Sequence, residues 1–249
     1  MNFLLILFCL FFCGCSSITS SGSKVNHSFN LQDVSGEYKV FSEEGSKESR
    51  YYLKEIVYPK EKKKEDWVEK KTIVSFLRKI RSKKKEEIFQ LYPSWAQNEV
   101  WIEGIKFFSQ LKIDSKKKRV EEISYQGDKE KLSSFVQAFP DEKGVYCFFS
   151  QVMSCGKVIG FLEKAIEKNV GKFHLYLLMD GHPFINEQYS LPTELIFPAE
   201  LIYLGSEKGE RYRFSLQFSG ETILYDLDEE MNLVKKVWVS QGLVQEKGR

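Results

Sequence analysis

The alternation of apolar and polar side chains in the C-terminal third constrains the fold more than any other feature of this sequence. Between residues 211 and 218, one side of an extended chain would carry Tyr212, Phe214, Leu216 and Phe218, and the other Arg211, Arg213, Ser215 and Gln217. A two-residue period of this kind indicates a strand with one buried and one solvated face. Similar segments on both sides, separated by turn signals, predict an antiparallel meander.

The rest of the chain extends this β-rich pattern and adds a few helical segments. Aromatic and β-branched runs predict strands at residues 36–43, 49–59, 71–81, 87–94, 98–114 and 119–125. Apolar spacing of three and four residues predicts helices at 129–139 and 154–168, and Asp180-Gly181 predicts a hairpin turn. We therefore expect an α+β fold, a mainly antiparallel twisted sheet or open β-barrel with two or three packed helices.

The amino-terminal segment carries the clearest targeting signal. The uncharged apolar run from Phe3 to Cys13 has about 11 residues, whereas a membrane-spanning helix needs roughly 17–25. It ends in Phe12-Cys13-Gly14-Cys15, followed by Ser16. This ending resembles the relaxed lipobox of spirochaetal lipoproteins, with Phe12 where Leu is usual. The resemblance implies lipid attachment at Cys15, a membrane as partner, and a place in the bacterial cell envelope, at the outer membrane. Ordinary signal-peptide cleavage near Gly14 or Ser17 would instead give a secreted protein.

These features divide the chain into three parts. We expect a lipoprotein signal peptide at residues 1–14, a lipidated flexible tether at 15–33, and a β-rich globular domain at 34–249. A tether of this length spans about 20–25 Å. The domain is compatible with two similar halves that meet near residues 127–143, or with unrelated hairpins that happen to look alike.

Charge excludes one class of partner and suggests another. The formal net charge of +2 is too small to indicate nucleic-acid binding. The basic residues are concentrated in two short runs, Lys62, Lys63, Lys64 and Lys83, Lys84, Lys85. They are candidates for contact with anionic lipid headgroups. The alternative is a solvated hairpin surface that blocks edge-to-edge pairing of strands.

Two cysteines remain in the folded domain, Cys147 and Cys155. In an exported protein they could form a disulfide. The bond requires a strand around Cys147 and a turn before Cys155, because one continuous helix would hold the two Cα atoms about 12 Å apart. Two buried free thiols are the alternative. The spacing matches no zinc or redox motif.

No catalytic motif is recognisable, and we expect no metal and no cofactor. Asp180 and His182 could form an acid–base pair, but an exposed hairpin tip beside the turn is the simpler interpretation. His174 alternates within a strand, and Trp67, Trp95, Trp101 and Trp238 fit core or interface positions. We therefore predict a non-enzymatic binding or structural module with an amphiphile, glycan or protein as ligand. The alternative is an exported hydrolase whose site is assembled from distant residues.

Overall fold

The computed structural model describes residues 37–81, 87–102, 104–127, 130–207 and 211–248. Cys15, its lipobox, the tether and Lys83, Lys84 and Lys85 lie outside the described residues, so the predictions made for them stay predictions. No helix in the described part of the chain is both long enough and apolar enough to cross a membrane.

Fourteen strands occupy most of the described chain. They are β1 (Glu37–Lys47), β2 (Arg50–Pro59), β3 (Glu69–Arg81), β4 (Glu87–Ile102), β5 (Ile105–Asp114), β6 (Arg119–Gln126), β7 (Glu130–Ala138), β8 (Tyr146–Phe148), β9 (Lys172–Leu178), β10 (Ile196–Glu207), β11 (Arg211–Phe218), β12 (Glu221–Leu227), β13 (Leu233–Trp238) and β14 (Leu243–Lys247). The helices are short: a 3₁₀ turn (Phe149–Gln151), α1 (Val152–Val158), α2 (Phe161–Glu167) and α3 (Phe184–Gln188).

All fourteen strands form one open sheet in the order β7-β6-β5-β4-β3-β2-β1-β14-β13-β12-β11-β10-β9-β8. Neighbours are antiparallel except for two parallel pairs, β1 with β14 and β8 with β9. The expectation of a mainly antiparallel sheet is confirmed. The balance is more β than α+β, because the helices are small attachments to one large sheet.

The sheet must curl, because its two edge strands are close neighbours in the chain. Only residues 139–145 separate the end of β7 from the start of β8, and such a linker spans roughly 25 Å at most. A flat sheet of fourteen strands would hold its edges about 60 Å apart. In agreement with a curled sheet, β8 contacts β4 in its interior.

The segment from β8 to β10 fills the interior of the curled sheet. Phe148, Leu178 and Leu195 pack with apolar side chains that β2 to β6 direct inward, Leu53, Ile73, Ala96, Leu111 and Val120. Each of these residues is at most 3% exposed. The concave face of the first seven strands is therefore covered by residues 146–196 rather than by solvent.

Two local predictions are corrected by the structure. Residues 129–139 were expected to form a helix, yet β7 pairs along its length with β6, for example Phe135 opposite Glu122. The backbone pairing along β6 outweighs three apolar residues at helical spacing. The helix expected at 154–168 is two helices, α1 and α2, because Gly160 adopts a left-handed conformation with φ 72°.

The predicted turn at Asp180-Gly181 forms, with the His182 N–H donating to the Met179 carbonyl at 3.0 Å, but the predicted hairpin does not. Asp180 and Gly181 begin a long excursion between β9 and β10 that includes α3, and Asp180 is only 1% exposed. Glycine is required at position 181 because a side chain would not fit, and not because of the backbone conformation of the turn. A Cβ atom there would lie 2.2 Å from Cδ1 of Ile185, well inside van der Waals contact.

Candidate functional site

A row of polar side chains crosses the interior face of the first seven strands. Each member lies directly opposite the next on the neighbouring strand, in the order Ser42, Glu55, Lys71, Asn98, Ser109, Ser124, Ser133. Lys71, Asn98, Ser109 and Ser124 are buried. Burying polar groups costs folding free energy unless they form hydrogen bonds. The row is therefore a candidate binding region rather than part of the apolar core.

Lys71 is the charged centre of this row. Its ammonium lies 3.2 Å from Glu69 Oε1 and 3.9 Å from Asp180 Oδ2, and it donates to Ser150 Oγ at 3.2 Å. Burial disfavours the charge of Lys71, but the surrounding carboxylates outweigh it and hold the pKa above its ordinary value. Lys71 therefore keeps its positive charge and already has Glu69 and Asp180 as ion-pair partners.

Asp180 and Ser150 connect this cation to the segment that fills the interior. The backbone N–H of Ser150 donates to Asp180 Oδ1 at 2.9 Å, and its hydroxyl donates to Oδ2 at 2.7 Å. Nearby, Ser75 donates to Gln151 at 2.7 Å and Ser154 to Glu44 at 2.7 Å. These bonds fix the start of α1 against the inner faces of β1 and β3.

Lys236 is a second interior cation, and its surroundings differ from those of Lys71. Among the described residues, no carboxylate lies within the 4.0 Å of an ion pair, and the ammonium stands 4.7 Å from the ring centroid of Phe149. Burial, followed by repulsion from Lys71, lowers the pKa of Lys236 to about 8. Lys236 can therefore change its charge near neutral pH and can accept an anion.

Glu55 is the carboxyl residue directly opposite Lys71, on the neighbouring strand β2. Burial raises the pKa of Glu55, against the opposing effect of Lys71 and Lys236. Its Oε1 accepts a hydrogen bond from Ser42 at 3.3 Å. Glu55, Glu69 and Asp180 all favour the charged form of Lys236, but none of the three is in ion-pair contact with its ammonium.

Lys236 lines two cavities. The near-end cavity, of about 80 Å³, lies at the end of the sheet where β1 begins at Glu37. Its walls combine polar Glu69, Lys71 and Asn98 with mainly apolar side chains, Tyr38, Val57, Val68, Val100, Trp101, Ile102, Phe149, Phe184, Ile185, Tyr189, Trp238 and Leu243.

The far-end cavity, of about 250 Å³, extends toward the opposite ends of β1 and β12. Glu44, Glu55, Ser150, Met153 and Tyr225 are in its wall. Lys236 and Gln245 line both cavities. Each volume by itself is smaller than the roughly 300–1,000 Å³ typical of small-molecule sites.

Each cavity has a buried polar atom without a hydrogen-bond partner among the described residues. In the near-end cavity it is Asn98 Oδ1, on a side chain whose amide nitrogen donates to Glu69 Oε1 at 3.1 Å. In the far-end cavity it is the hydroxyl of Tyr225, a residue 3% exposed. An unsatisfied buried polar group costs about 1–3 kcal/mol, so both atoms would gain from a bound ligand.

A separate buried pair involves His182, which was expected to be exposed beside a turn. That prediction is wrong, because His182 is 5% exposed and its Nδ1 lies 3.9 Å from Oε2 of the fully buried Glu122. Burial lowers the pKa of His182 to about 4 and raises that of Glu122 to about 7. His182 Nε2 contacts the Thr193 carbonyl at 3.1 Å, and Ser133 donates to Glu122 at 3.1 Å. Neither residue of the pair lines the two cavities.

His174 is placed differently, on the outer face of β9. It is 71% exposed at the side chain, and its Nδ1 lies 3.1 Å from Glu200 Oε1. Both residues, together with Ser219, line an open polar cleft of about 890 Å³. No hydrogen bond joins Ser219 to His174 among the described residues, so the described geometry has no activated serine there.

The remaining predicted positions are divided between the core, the surface and the wall of the near-end cavity. Cys147 and Cys155 are joined in a disulfide with Cα atoms 6.5 Å apart, because β8 ends after Cys147 and the 3₁₀ turn brings the chain back. Lys62 and Lys63 are exposed in the turn after β2, and Lys64 stacks over the ring of Phe41. Of the four tryptophans, Trp101 and Trp238 line the near-end cavity.

The interior polar residues were missed by the sequence reasoning, although a signal was present. Lys71 is in phase with the buried Ile73 and Ser75 on β3, and Lys236 is in phase with the buried Trp238 on β13. A lysine on the apolar phase of a strand points into the interior. Asking whether each lysine falls on the apolar or the polar side of its strand would have identified both residues. Counting charges per segment did not.

Comparison with known proteins adds no relative from which to transfer a function. No protein-family model matches the chain, and no curated protein or solved structure gives a match. Within the described residues, no three His, Cys, Asp or Glu side chains converge to hold a metal ion.

Proposed function

We propose that this protein is a non-enzymatic, membrane-anchored binding module that holds an amphiphile with an anionic head inside its curled sheet. The observation that carries the proposal is Lys236, a half-buried side chain that lines both cavities and has no described carboxylate in ion-pair contact with its ammonium. An anion brought by a ligand would supply an ion-pair partner in direct contact with this ammonium, in a site of low dielectric where charges attract most strongly.

The cavity walls favour an apolar tail attached to that anion. Tyr38, Phe149, Phe184 and Trp238 surround the near-end cavity with aromatic surface, and Leu53, Met153 and Leu233 contribute apolar surface to the far-end cavity. Each buried methylene contributes about 0.8 kcal/mol to binding. A ligand with one charged end and an apolar body matches this arrangement better than a fully polar ligand would.

The proposed lipid anchor would bring the site close to a source of amphiphiles. The described chain begins at Glu37, at the same end of the sheet as the near-end cavity and the 42% exposed Trp101. A tether of about 20 Å from a lipidated Cys15 would keep this end near the surface of the outer membrane. A ligand could then reach the cavity without crossing much water.

Calorimetric titration of the protein with octyl phosphate and with octanol tests the proposal. We expect octyl phosphate to bind with a Kd at least ten-fold lower than that of octanol, because only the phosphate can pair with Lys236. Lys236→Met should weaken octyl phosphate binding by about 10- to 100-fold and leave octanol unchanged.

Lys235→Met is the matched control on the same strand. Lys235 is 35% exposed at the side chain and faces away from the cavities, with its ammonium 3.6 Å from Glu246. This variant should bind both probes like the wild-type protein. Equal loss of affinity in the two lysine variants, or equal affinity of the wild-type protein for the two probes, would contradict the proposal.

A further inference from the structure

Two cavity-lining atoms without a hydrogen-bond partner among the described residues are the Tyr225 hydroxyl and Asn98 Oδ1. They indicate which hydrogen-bonding groups the ligand must carry in addition to its charge. Tyr225 lies directly opposite Lys236 on β12 and β13, so their Cβ atoms are about 5 Å apart. The Tyr225 hydroxyl is buried and has no partner among the described residues. Burial, with a further contribution from the Glu55 carboxyl, raises the pKa of Tyr225, so this hydroxyl keeps its proton. It is a hydrogen-bond donor on the residue directly opposite the cation.

Tyr225 and Lys236 therefore form a two-point donor for one anion. A phosphate has enough acceptor oxygens to take both bonds at once. The Tyr225 side chain lines the far-end cavity and Lys236 lines both cavities. This arrangement places the anion beside Lys236, in the wall common to the two cavities.

Asn98, in the wall of the near-end cavity, requires a hydrogen-bond donor from the ligand, whereas Lys236 and Tyr225 require an acceptor. Its amide nitrogen is committed to Glu69, so the group left over is Oδ1, a hydrogen-bond acceptor. Rotating the amide would place Oδ1 against the Glu69 carboxylate, which is also an acceptor. The side chain is 1% exposed and lines the cavity beside Lys71. A ligand that satisfies Asn98 must therefore bring a donor, which a simple fatty acid or alkyl phosphate does not have.

We infer that the ligand of this site is an amphiphile whose head carries both a phosphate and a free hydroxyl, as an acyl glycerophosphate does. The phosphate binds Lys236 and Tyr225, and the hydroxyl donates to Asn98 Oδ1. This inference rests on the proposed function and extends it from the charge of the head to its hydrogen-bonding groups. Because Asn98 Oδ1 has no other partner among the described residues, the hydroxyl acts as a determinant of specificity.

Three probes with the same eight-carbon chain separate these contributions: octanoyl glycerophosphate, octyl phosphate and octanoylglycerol. We expect the glycerophosphate to bind the wild-type protein about ten-fold more tightly than octyl phosphate, which corresponds to one additional hydrogen bond. Octanoylglycerol has the hydroxyl without the anion and should bind about 100-fold more weakly than the glycerophosphate. Asn98→Leu should abolish the difference between the two phosphates.

Tyr225→Phe gives a readout that a purely structural role would not produce. Removing an unpartnered buried hydroxyl should leave the melting temperature of the free protein unchanged or higher, while both phosphate probes lose about ten-fold in affinity. Tyr203→Phe is the control, since Tyr203 is buried on β10 in the same cross-strand row and lines neither cavity. It should not change the affinity for any probe.

The possible failures are distinguishable. If octyl phosphate and octanoyl glycerophosphate bind the wild-type protein equally, the role of the hydroxyl is refuted and the proposed binding of an anionic amphiphile stands. Unchanged phosphate affinity in Tyr225→Phe would refute the two-point site. If none of the three probes binds, the proposed function and this inference both fall.

Discussion

Ser150 and Asp180 lie 30 residues apart in the chain, and both donors of Ser150, its backbone N–H and its hydroxyl, bind the Asp180 carboxylate at 2.9 and 2.7 Å. The same carboxylate lies 3.9 Å from the Lys71 ammonium. One buried residue thus connects β3, the 3₁₀ turn and the excursion after β9. It holds the segment that fills the interior against the sheet that surrounds it.

Asp180→Ala should therefore destabilise the protein strongly. Removing one member of a buried, hydrogen-bonded ion pair typically costs about 3–5 kcal/mol, and we expect a loss of that size in the free energy of unfolding measured with urea. Glu200→Ala is the control, because Glu200 pairs with Lys172 at the surface, with side chains 31% and 50% exposed. The control should lose about 1 kcal/mol. Equal losses in the two variants would show that Asp180 has no special role.

The Glu122–His182 pair should give the stability two opposing dependences on pH. The pKa of Glu122 is raised from 4.5 to about 7, so the fold prefers its protonated form and loses stability as the pH rises from about 4.5 to 7. The pKa of His182 is lowered from 6.5 to about 4, so the fold prefers neutral imidazole and loses stability as the pH falls from about 6.5 to 4.

Single substitutions should expose each dependence separately. Glu122→Gln leaves only the contribution of His182, so its unfolding free energy should rise with pH between about 4 and 6.5 relative to the wild-type protein. His182→Gln leaves only that of Glu122, so its unfolding free energy should fall between about 4.5 and 7. Urea unfolding at half-unit pH steps measures both. Profiles that run parallel to the wild-type profile would refute the assignment.

The Cys147–Cys155 disulfide closes a short loop, and its removal should have a moderate cost. A sequence separation of 8 residues corresponds to about 2–3 kcal/mol of chain entropy in the unfolded state. Replacing both cysteines by alanine should lower the unfolding free energy by that amount under oxidising conditions. The wild-type protein should lose the same amount on addition of dithiothreitol, and the double variant should not respond. A wild-type protein indifferent to the reductant would contradict this prediction.

Cys15→Ser tests the proposed anchor. We expect the wild-type protein to incorporate a labelled fatty acid in a bacterial host with lipoprotein-processing enzymes and to sediment with membranes. The variant should lose the label and the membrane association, because serine lacks the thiol that takes up the lipid. Cys13→Ser, two residues earlier, should behave like the wild-type protein. Label retained by Cys15→Ser would refute attachment at this residue.

Local sequence pattern predicted most of the strands, because alternation records directly which face of a strand is buried. The predicted strands at 211–218 and 119–125 coincide with β11 and β6 to within a residue. The predictions failed where tertiary contacts decide the conformation. Residues 130–138 form an edge strand because their backbone pairs with β6. Asp180 is buried because its carboxylate accepts hydrogen bonds from Ser150 and lies close to the Lys71 ammonium.

The site itself depends on contacts between residues distant in sequence. Lys71 and Lys236 are far apart in the chain, and only the curling of the sheet through the parallel β1–β14 pair brings them to neighbouring walls of one cavity. The phase of each lysine could be read from its strand. Their proximity could not, because no local signal specifies a parallel pairing between the first described strand and the last.

The most direct test of the account is the pKa of the Lys236 ammonium, measured by NMR titration of the side-chain Cε and Nζ resonances assigned with Lys236→Met. We expect a pKa of about 8 in the free protein and a clear increase at saturating octyl phosphate, because the bound anion stabilises the charged form. Binding should correspondingly weaken as the pH rises above about 8. A Lys236 pKa that does not change when octyl phosphate is bound would contradict the central claim that this lysine receives the anionic head.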